Sequence, residues 1–280
     1  MKIIERRKYF YIISSILLIA GFISMFAQGF NLGIDFRGGS SLRFKMDASV
    51  SSADVRATID GLKIVNQATI QKSGDEFLIR TQELDQEQTK KIEDALQAKF
   101  KNTKYLSAES VGATIGSELT KNALLSVAIA LVLMLLYITF RFEWSFGVAA
   151  ILALFHDVLI VIGLFSIFQW EIDGPFIAAI LTVLGYSIND TIVIFDRVRE
   201  NIRNKTKDDL GTLLNKSIMQ TMNRSINTVL VVLLPLMALF LIGGSTIKTF
   251  VLTMLIGFLL GMYSSIFVAS PLYYEIKQRA

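Results

Sequence analysis

The chain has 280 residues, 52% of them hydrophobic, and a net charge of +4. That apolar share is characteristic of a membrane protein rather than an ordinary soluble domain. The absence of cysteine excludes disulfides and thiolate metal sites, the single histidine argues against a His-rich metal centre, and the positive residues sit beside apolar runs, so the charge is no nucleic-acid signal.

The first uncharged run long enough to cross about 30 Å of hydrocarbon is Tyr9–Phe30, preceded by Lys2, Arg6, Arg7 and Lys8. It is too long for a signal h-region and shows no small-residue cleavage site, so it reads as a retained anchor. Gly33-Ile34-Asp35-Phe36-Arg37-Gly38-Gly39 follows. A Gly-rich loop can cradle phosphate, but this one lacks a Lys-Ser/Thr pair. It reads as a tight turn in which Asp35 and Arg37 cap or pair.

Residues 31–119 read as a small water-facing α+β domain. Leu42, Phe44 and Met46 alternate with polar neighbours as in a half-buried strand. Ser51 and Asp54 resemble a capping box ahead of Val55, Ile59 and Leu62 at helical spacing. Ile64–Gln71 and Phe77–Thr81 predict two strands, with a hairpin turn at Ser73-Gly74-Asp75. Asp85 predicts the cap of a second helix with Ile92, Ala95, Leu96 and Phe100 on its apolar side, and Thr103–Ser107 predicts a last strand. The order β-α-β-β-α-β predicts a ferredoxin-like split βαβ unit. Its charges nearly cancel and it holds no nucleophile–base pair, which favours a binding or moving element over a catalytic domain. Gly112 and Gly116 suggest close backbone packing where the chain returns to the bilayer.

Five further runs follow: Asn122–Phe140, Trp144–Trp170, Pro175–Phe195, Ser225–Ile247 and Thr249–Tyr274. Arg141, then Arg197, Arg199, Arg203, Lys205, Lys207, Lys216 and Arg224, then Lys277 and Arg279 fall on one side of the membrane. By the positive-inside rule that side is cytoplasmic. The expected layout is a cytoplasmic N-terminus at 1–8, a first helix at 9–30, the outer domain at 31–119, five helices within 120–274 and a cytoplasmic C-terminus at 275–280. Within the fourth of these segments Leu210, Leu213, Leu214, Ile218 and Met222 give residues 206–223 the pattern of an amphipathic helix on the membrane surface. Gly257 and Gly261 form a small-xxx-small pattern that lets helices approach closely.

Asp190 is the residue that asks for a function. Every other side chain in Pro175–Phe195 is uncharged, and a carboxylate at bilayer depth costs about 2.5–3.5 kcal/mol on insertion scales. It lies 15 residues after Pro175, about 22 Å at helical rise, in the inner half of its span. Asn189 and Ser187 lie close in sequence and can hydrogen-bond a carboxyl or a water. His156 and Asp157 stand mid-way along the third span, and Arg224 at the cytoplasmic start of the fifth. Desolvation favours the neutral form of a carboxyl and a nearby guanidinium favours the charged one, so relative motion of Arg224 and Asp190 would move a proton. A proton crossing the membrane yields about 2.3 kcal/mol per 100 mV, enough to bias a two-state repacking. His156 can relay protons or simply pack as a polar residue, and Arg224 can instead snorkel at the interface.

Together GIDFRGG, VGATIGSEL, FHDVLI, GYSINDTIVIFDRVREN, QTMNRSINT and TMLIGFLLGMYSSIFVAS make the chain resemble the SecD/SecF family of export membrane proteins, on its SecF side. The resemblance implies an RND-superfamily six-span half-bundle with an extracytoplasmic ferredoxin-like domain, in the bacterial cytoplasmic membrane with both termini inside. It implies an auxiliary role in Sec-dependent protein export driven by the proton motive force, with no cofactor, no metal and no enzymatic activity. Implied partners are SecD, the SecYEG channel, the translocating preprotein and the proton, with YajC as a candidate further subunit. By resemblance Asp190 and Arg224 match the family's proton-pathway acid and its arginine, and Asp157 matches a His-Asp in the third span. Two alternatives are an RND-like proton-coupled exporter of small molecules or lipids, and an intramembrane aspartyl protease using Asp157 and Asp190. The protease reading lacks a Gly-x-Gly-Asp before Asp190.

Overall fold

The computed structural model describes residues 2–65, 68–204 and 208–279. Two compact units emerge: one combines residues 1–31 with 125–280, the other is residues 32–124. Among the described residues, six helices are long and apolar enough to cross a membrane.

The first is α1 (Arg7–Ala27). Ahead of it Ile3 and Ile4 are buried. Their amides donate to Asn215 Oδ1 at 2.8 and 3.1 Å, so the N-terminal segment is docked rather than loose.

The second unit opens with a one-turn helix α2 (Ile34–Arg37), where a plain turn was expected. Gly33 caps it, and Gly38 and Gly39 follow at φ 76° and 124°, a region that L side chains avoid. A Cβ on Gly39 would strike the Thr81 carbonyl. Then come β1 (Gly39–Lys45), α3 (Ser52–Gly61), β2 (Thr69–Ser73), β3 (Glu76–Thr81), α4 (Gln86–Lys99) and β4 (Lys104–Val111). The sheet order β2-β3-β1-β4, antiparallel at each pairing, is that of a ferredoxin-like split βαβ unit. Leu42 and Phe44 of β1, Phe77 and Ile79 of β3, Val55 and Ile59 of α3, and Ile92 and Leu96 of α4 form one core. The caps match the sequence: Ser51 accepts from the Asp54 amide, and Asp85 with Gln88 closes a capping box. The expected strand Ile64–Gln71 begins only at Thr69, and its Asn66 and Gln67 lie outside the described residues. Gly116 packs against the backbone of Phe36 and Gly38, where a Cβ would come within 3.1 Å.

The remaining helices are α5 (Ala113–Arg141), α6 (Trp144–Ile167), α7 (Gly174–Arg203), α8 (Leu210–Ile242), α9 (Ser245–Ser264), a π-helical turn at Ser265–Ala269, and α10 (Ser270–Arg279). Most overrun their uncharged runs, because hydrogen-bonded turns continue into the flanking polar residues. Lys205, Thr206 and Lys207 lie outside the described residues. The rest of the expected amphipathic stretch is the first half of α8, continuous with the span. Its Leu213, Leu214 and Ile218 are buried within the unit, and Asn201 donates to Ser217 Oγ at 2.8 Å and to Gln220 at 3.0 Å. That face is satisfied by protein contacts and does not require a bilayer surface.

Two seams hold the bundle in register. Ser14 meets His156, Gly21 meets Gly163 and Ser24 meets Ser166. The sequence offset is the same at all three, so α1 and α6 run parallel with contacts spaced seven and three residues apart, as in a coiled-coil seam. Along the other seam, Val183 faces Gly257, Ser187 faces Gly261 and Thr191 faces Ser265. Again the offset is constant, now at four-residue steps, the spacing of close small-residue helix contacts. A Cβ on Gly257 would collide with Val183, which explains the glycine.

Candidate functional site

Asp157 is fully buried, and both its oxygens are engaged. Oδ1 lies 2.9 Å from His156 Nδ1, while Oδ2 accepts from Ser187 at 2.9 Å and from Ser264 at 2.6 Å. One carboxyl thereby ties α6 to α7 and α9. The other ring nitrogen of His156 lies 2.9 Å from Ser14 Oγ, which lies 3.2 Å from the Tyr263 hydroxyl; that hydroxyl donates to the Phe10 carbonyl. A continuous polar chain therefore runs from α1 through α6 to α9.

Asp190 is bound quite differently. It is also buried, but Oδ1 accepts one hydrogen bond, from Ser225 Oγ of α8 at 2.7 Å. Oδ2 is buried without a hydrogen-bond partner among the described residues. Leaving a carboxyl oxygen so disposed is costly. Such a half-satisfied group is poised to gain a proton or a donor, whereas Asp157 is saturated.

Arg224 precedes Ser225 and is exposed. Its charge acts on Asp190 electrostatically, but the ion pairs observed do not join the two. Asn189, one residue from Asp190, is exposed: at about 100° per residue it points away from the carboxyl. Ser187 is buried, yet it serves Asp157 rather than Asp190. The structure thus separates the sequence candidates into two centres, His156–Asp157 and Asp190–Ser225, with Arg224 at the rim of the second. Gly33, Asp35, Gly38 and Gly39 belong to the other unit and form the α2 turn, while Gly257 and Gly261 form the α7–α9 seam.

Four contributors escaped the sequence reading. Ser14, Ser225, Tyr263 and Ser264 look like ordinary small or amphipathic residues in apolar spans. For the three serines the signal was the helical spacing of hydroxyls on faces that also carry glycine. The π turn beginning at Ser265 adds to this: Ser265 Oγ lies 2.8 Å from Thr191 Oγ1, and Ser265 O accepts from Ser270 Oγ at 3.1 Å. Such turns often accompany functional positions. No cluster of potential metal ligands occurs among the described residues.

Residues 91–279 match the family described as "Protein export membrane protein SecD/SecF, C-terminal", and residues 23–50 match the "SecD/SecF GG Motif". The chain is 42% identical over 284 residues to the protein translocase subunit SecF of Sebaldella termitidis, covering 99% of this chain and 92% of that one. It is 41% identical over 285 residues to SecF of Acidaminococcus fermentans, covering 99% and 97%. The crystal structure of SecDF, a translocon-associated membrane protein from Thermus thermophilus, matches with TM-score 0.92 at 38% identity, covering 100% of this chain and 39% of that one. A super-membrane-facing form of SecDF matches at TM-score 0.75. The chain spans 39% of the length of these solved SecDF chains. These likenesses and the six spans make it a multi-pass membrane protein with the expected RND-like half-bundle.

Proposed function

The chain belongs to the SecD/SecF family of protein-export membrane proteins, and from that premise we propose that it is an auxiliary subunit of the Sec translocase that spends a proton gradient to promote export. In this reading it sits in the bacterial cytoplasmic membrane with both termini inside and residues 31–119 outside. SecD supplies the other half of the assembly, since relatives named SecDF carry both names on one chain. SecYEG and a translocating preprotein complete the working complex, with YajC as a candidate addition.

The observation that carries the reading is the half-satisfied carboxyl of Asp190. It is buried where charge is expensive, is held by one hydroxyl, and lies within electrostatic reach of an exposed arginine on the next helix. A proton arriving on Oδ2 removes the charge. Approach of Arg224 restores it. Either change alters how α7 and α8 pack, because Ser225 and Asp190 bridge them, as does the Tyr186 hydroxyl bond to the Thr228 carbonyl at 2.7 Å. His156 and Asp157 act as a saturated hub against which that movement is referenced. Relative motion of the helices is passed to the outer domain, which holds the emerging polypeptide.

The test is Asp190→Asn in vesicles that carry out export with and without an imposed proton gradient. Stimulation by the gradient is expected to vanish while co-purification with SecD is retained. Normal stimulation by the variant would overturn the assignment.

A further inference from the structure

The saturation of Asp157 has a condition, and counting hydrogens exposes it. Four contacts run in series: Tyr263 Oη to the Phe10 carbonyl at 3.1 Å, Ser14 Oγ to Tyr263 Oη at 3.2 Å, His156 Nε2 to Ser14 Oγ at 2.9 Å, and Asp157 Oδ1 to His156 Nδ1 at 2.9 Å. Each needs a hydrogen between its two atoms. Tyr263 brings one, Ser14 one, and a neutral imidazole one. The fourth is an additional proton on the His156–Asp157 pair. Donor directions give the same answer. A carbonyl only accepts, so Tyr263 donates to Phe10, Ser14 donates to Tyr263, and Nε2–H donates to Ser14. Asp157 Oδ2 is taken by the hydroxyls of Ser187 and Ser264, which leaves the additional proton between Oδ1 and Nδ1.

Charge supplies an independent reason. Ser14, His156 and Asp157 are all buried. With the additional proton the pair is neutral; without it a net negative charge remains where charge is expensive. The cations of the packed helices are engaged elsewhere: Arg7 of α1 pairs with Glu275, and Lys277 of α10 with Glu143. Asp190 of α7 is bonded to Ser225, and the Tyr11 hydroxyl of α1 has no hydrogen-bond partner among the described residues. On α9 the titratable group in the series is Tyr263 itself.

We propose that His156–Asp157 is a second proton-exchange site of this chain, separate from Asp190, and that the Tyr263 hydroxyl passes its occupancy to α1. On release every hydrogen shifts one link toward Phe10. The Tyr263 proton leaves to water, the Ser14 proton moves to Tyr263, the Nε2 proton to Ser14, and the proton between the pair settles on Nδ1. One proton has left and Asp157 carries the charge. Three hydrogens now serve three contacts, and the contact that lapses is Tyr263 to Phe10. That carbonyl tolerates the loss because the hydrogen-bond ladder of α1 already uses it. Releasing the proton therefore frees α9 from α1 at this point, three residues from Arg7. The inference goes beyond the export reading and stands without it, since it says where a further proton binds and which contact responds.

The chain has one histidine, so isotope labelling of histidine nitrogens reports this ring alone when the full chain, free of any polyhistidine tag, is placed in lipid vesicles. Solid-state NMR separates the imidazolium and the two neutral tautomers. At neutral pH Nε2 is expected to carry a hydrogen. Raising the pH is expected to convert the ring reversibly, in a one-proton step, to a form with its hydrogen on Nδ1 alone. Tyr263→Phe and Ser14→Ala each delete two contacts but one hydrogen, so the additional proton is no longer needed to complete the series. Each is expected to lower the midpoint by about one pH unit, whereas Asp190→Asn is expected to leave it in place. A hydrogen on Nδ1 alone at neutral pH, or Nε2 protonated at every pH at which the chain stays folded, would overturn the proposal. So would a midpoint unmoved in either folded variant, or one moved by Asp190→Asn as far as by Tyr263→Phe. Should both variants fail to fold, the native titration alone decides.

Discussion

Two buried carboxyls on neighbouring helices have opposite fates, and their hydroxyl partners decide which. Asp157 has three side-chain partners, so Asp157→Ala strands donors from three helices. A loss of about 1–3 kcal/mol in thermal unfolding is expected, partly relieved because Ser264 already shares its hydroxyl with the Gly261 carbonyl. Among the described residues Asp190 has one hydrogen-bond partner, and Ser225→Ala removes it. That variant should weaken gradient-driven export without preventing assembly, because the carboxyl is left with no fixed reference on α8. Asn189→Ala, one position away but exposed, should change stability by less than about 0.5 kcal/mol and leave export intact. Asp190 and Asp157 were legible in the sequence as charges in apolar runs. Their division of labour was not, because Ser187 is near Asp190 in sequence but faces Asp157 across the bundle. Periodicity places a side chain on a helix face without identifying the helix opposite.

Among the elements, the glycines of α9 show how far a local pattern reads. The small-xxx-small pattern of Gly257 and Gly261 pointed to close helix contact, and the contacted residues are Val183 and Ser187 of α7. Gly261→Ala would force its Cβ to 2.9 Å from Ser187 Cβ, on the residue that also holds Asp157. A cost of about 1–3 kcal/mol is expected. Gly185→Ala on α7 provides the contrast, since nothing lies within 4 Å of the added carbon in this chain. There the better helix propensity of alanine should leave the melting temperature of the isolated chain unchanged or raised. In the unit of residues 32–124 the caps and strand alternation specified nearly every element, because each is a local signal. The short α2 helix was read as a turn, since four residues between glycines carry no periodicity. The first half of α8 has the amphipathic pattern of a surface helix, and sequence alone could not show that protein covers its apolar side.

At the scale of the molecule, contacts at one end of the bundle gather the N-terminal segment, α8 and α10. Asn215 holds the Ile3 and Ile4 amides and donates to Glu5 at 2.9 Å, and Arg7 pairs with Glu275 at 2.6 Å. The Asn215 hydrogen bond holds the Glu5 carboxyl below the usual carboxylate range. A depressed carboxyl contributes stability above its unfolded value, about 4.3 for Glu, and loses it as pH falls through the lower folded value. Protection of the Ile3 and Ile4 amides, taken relative to their intrinsic exchange rates, should therefore fall below about pH 4, whereas Asn215→Leu should remove the protection at every pH. The equal offsets along α1 and α6 have a further consequence for the genetics of this chain. One residue inserted between Ser14 and Gly21 would swing every later α1 side chain about 100° off its mate. A second insertion between His156 and Gly163 would restore the level of Gly21 with Gly163 and of Ser24 with Ser166 but turn the α6 face away as well, so two individually harmful lengthenings should not rescue each other.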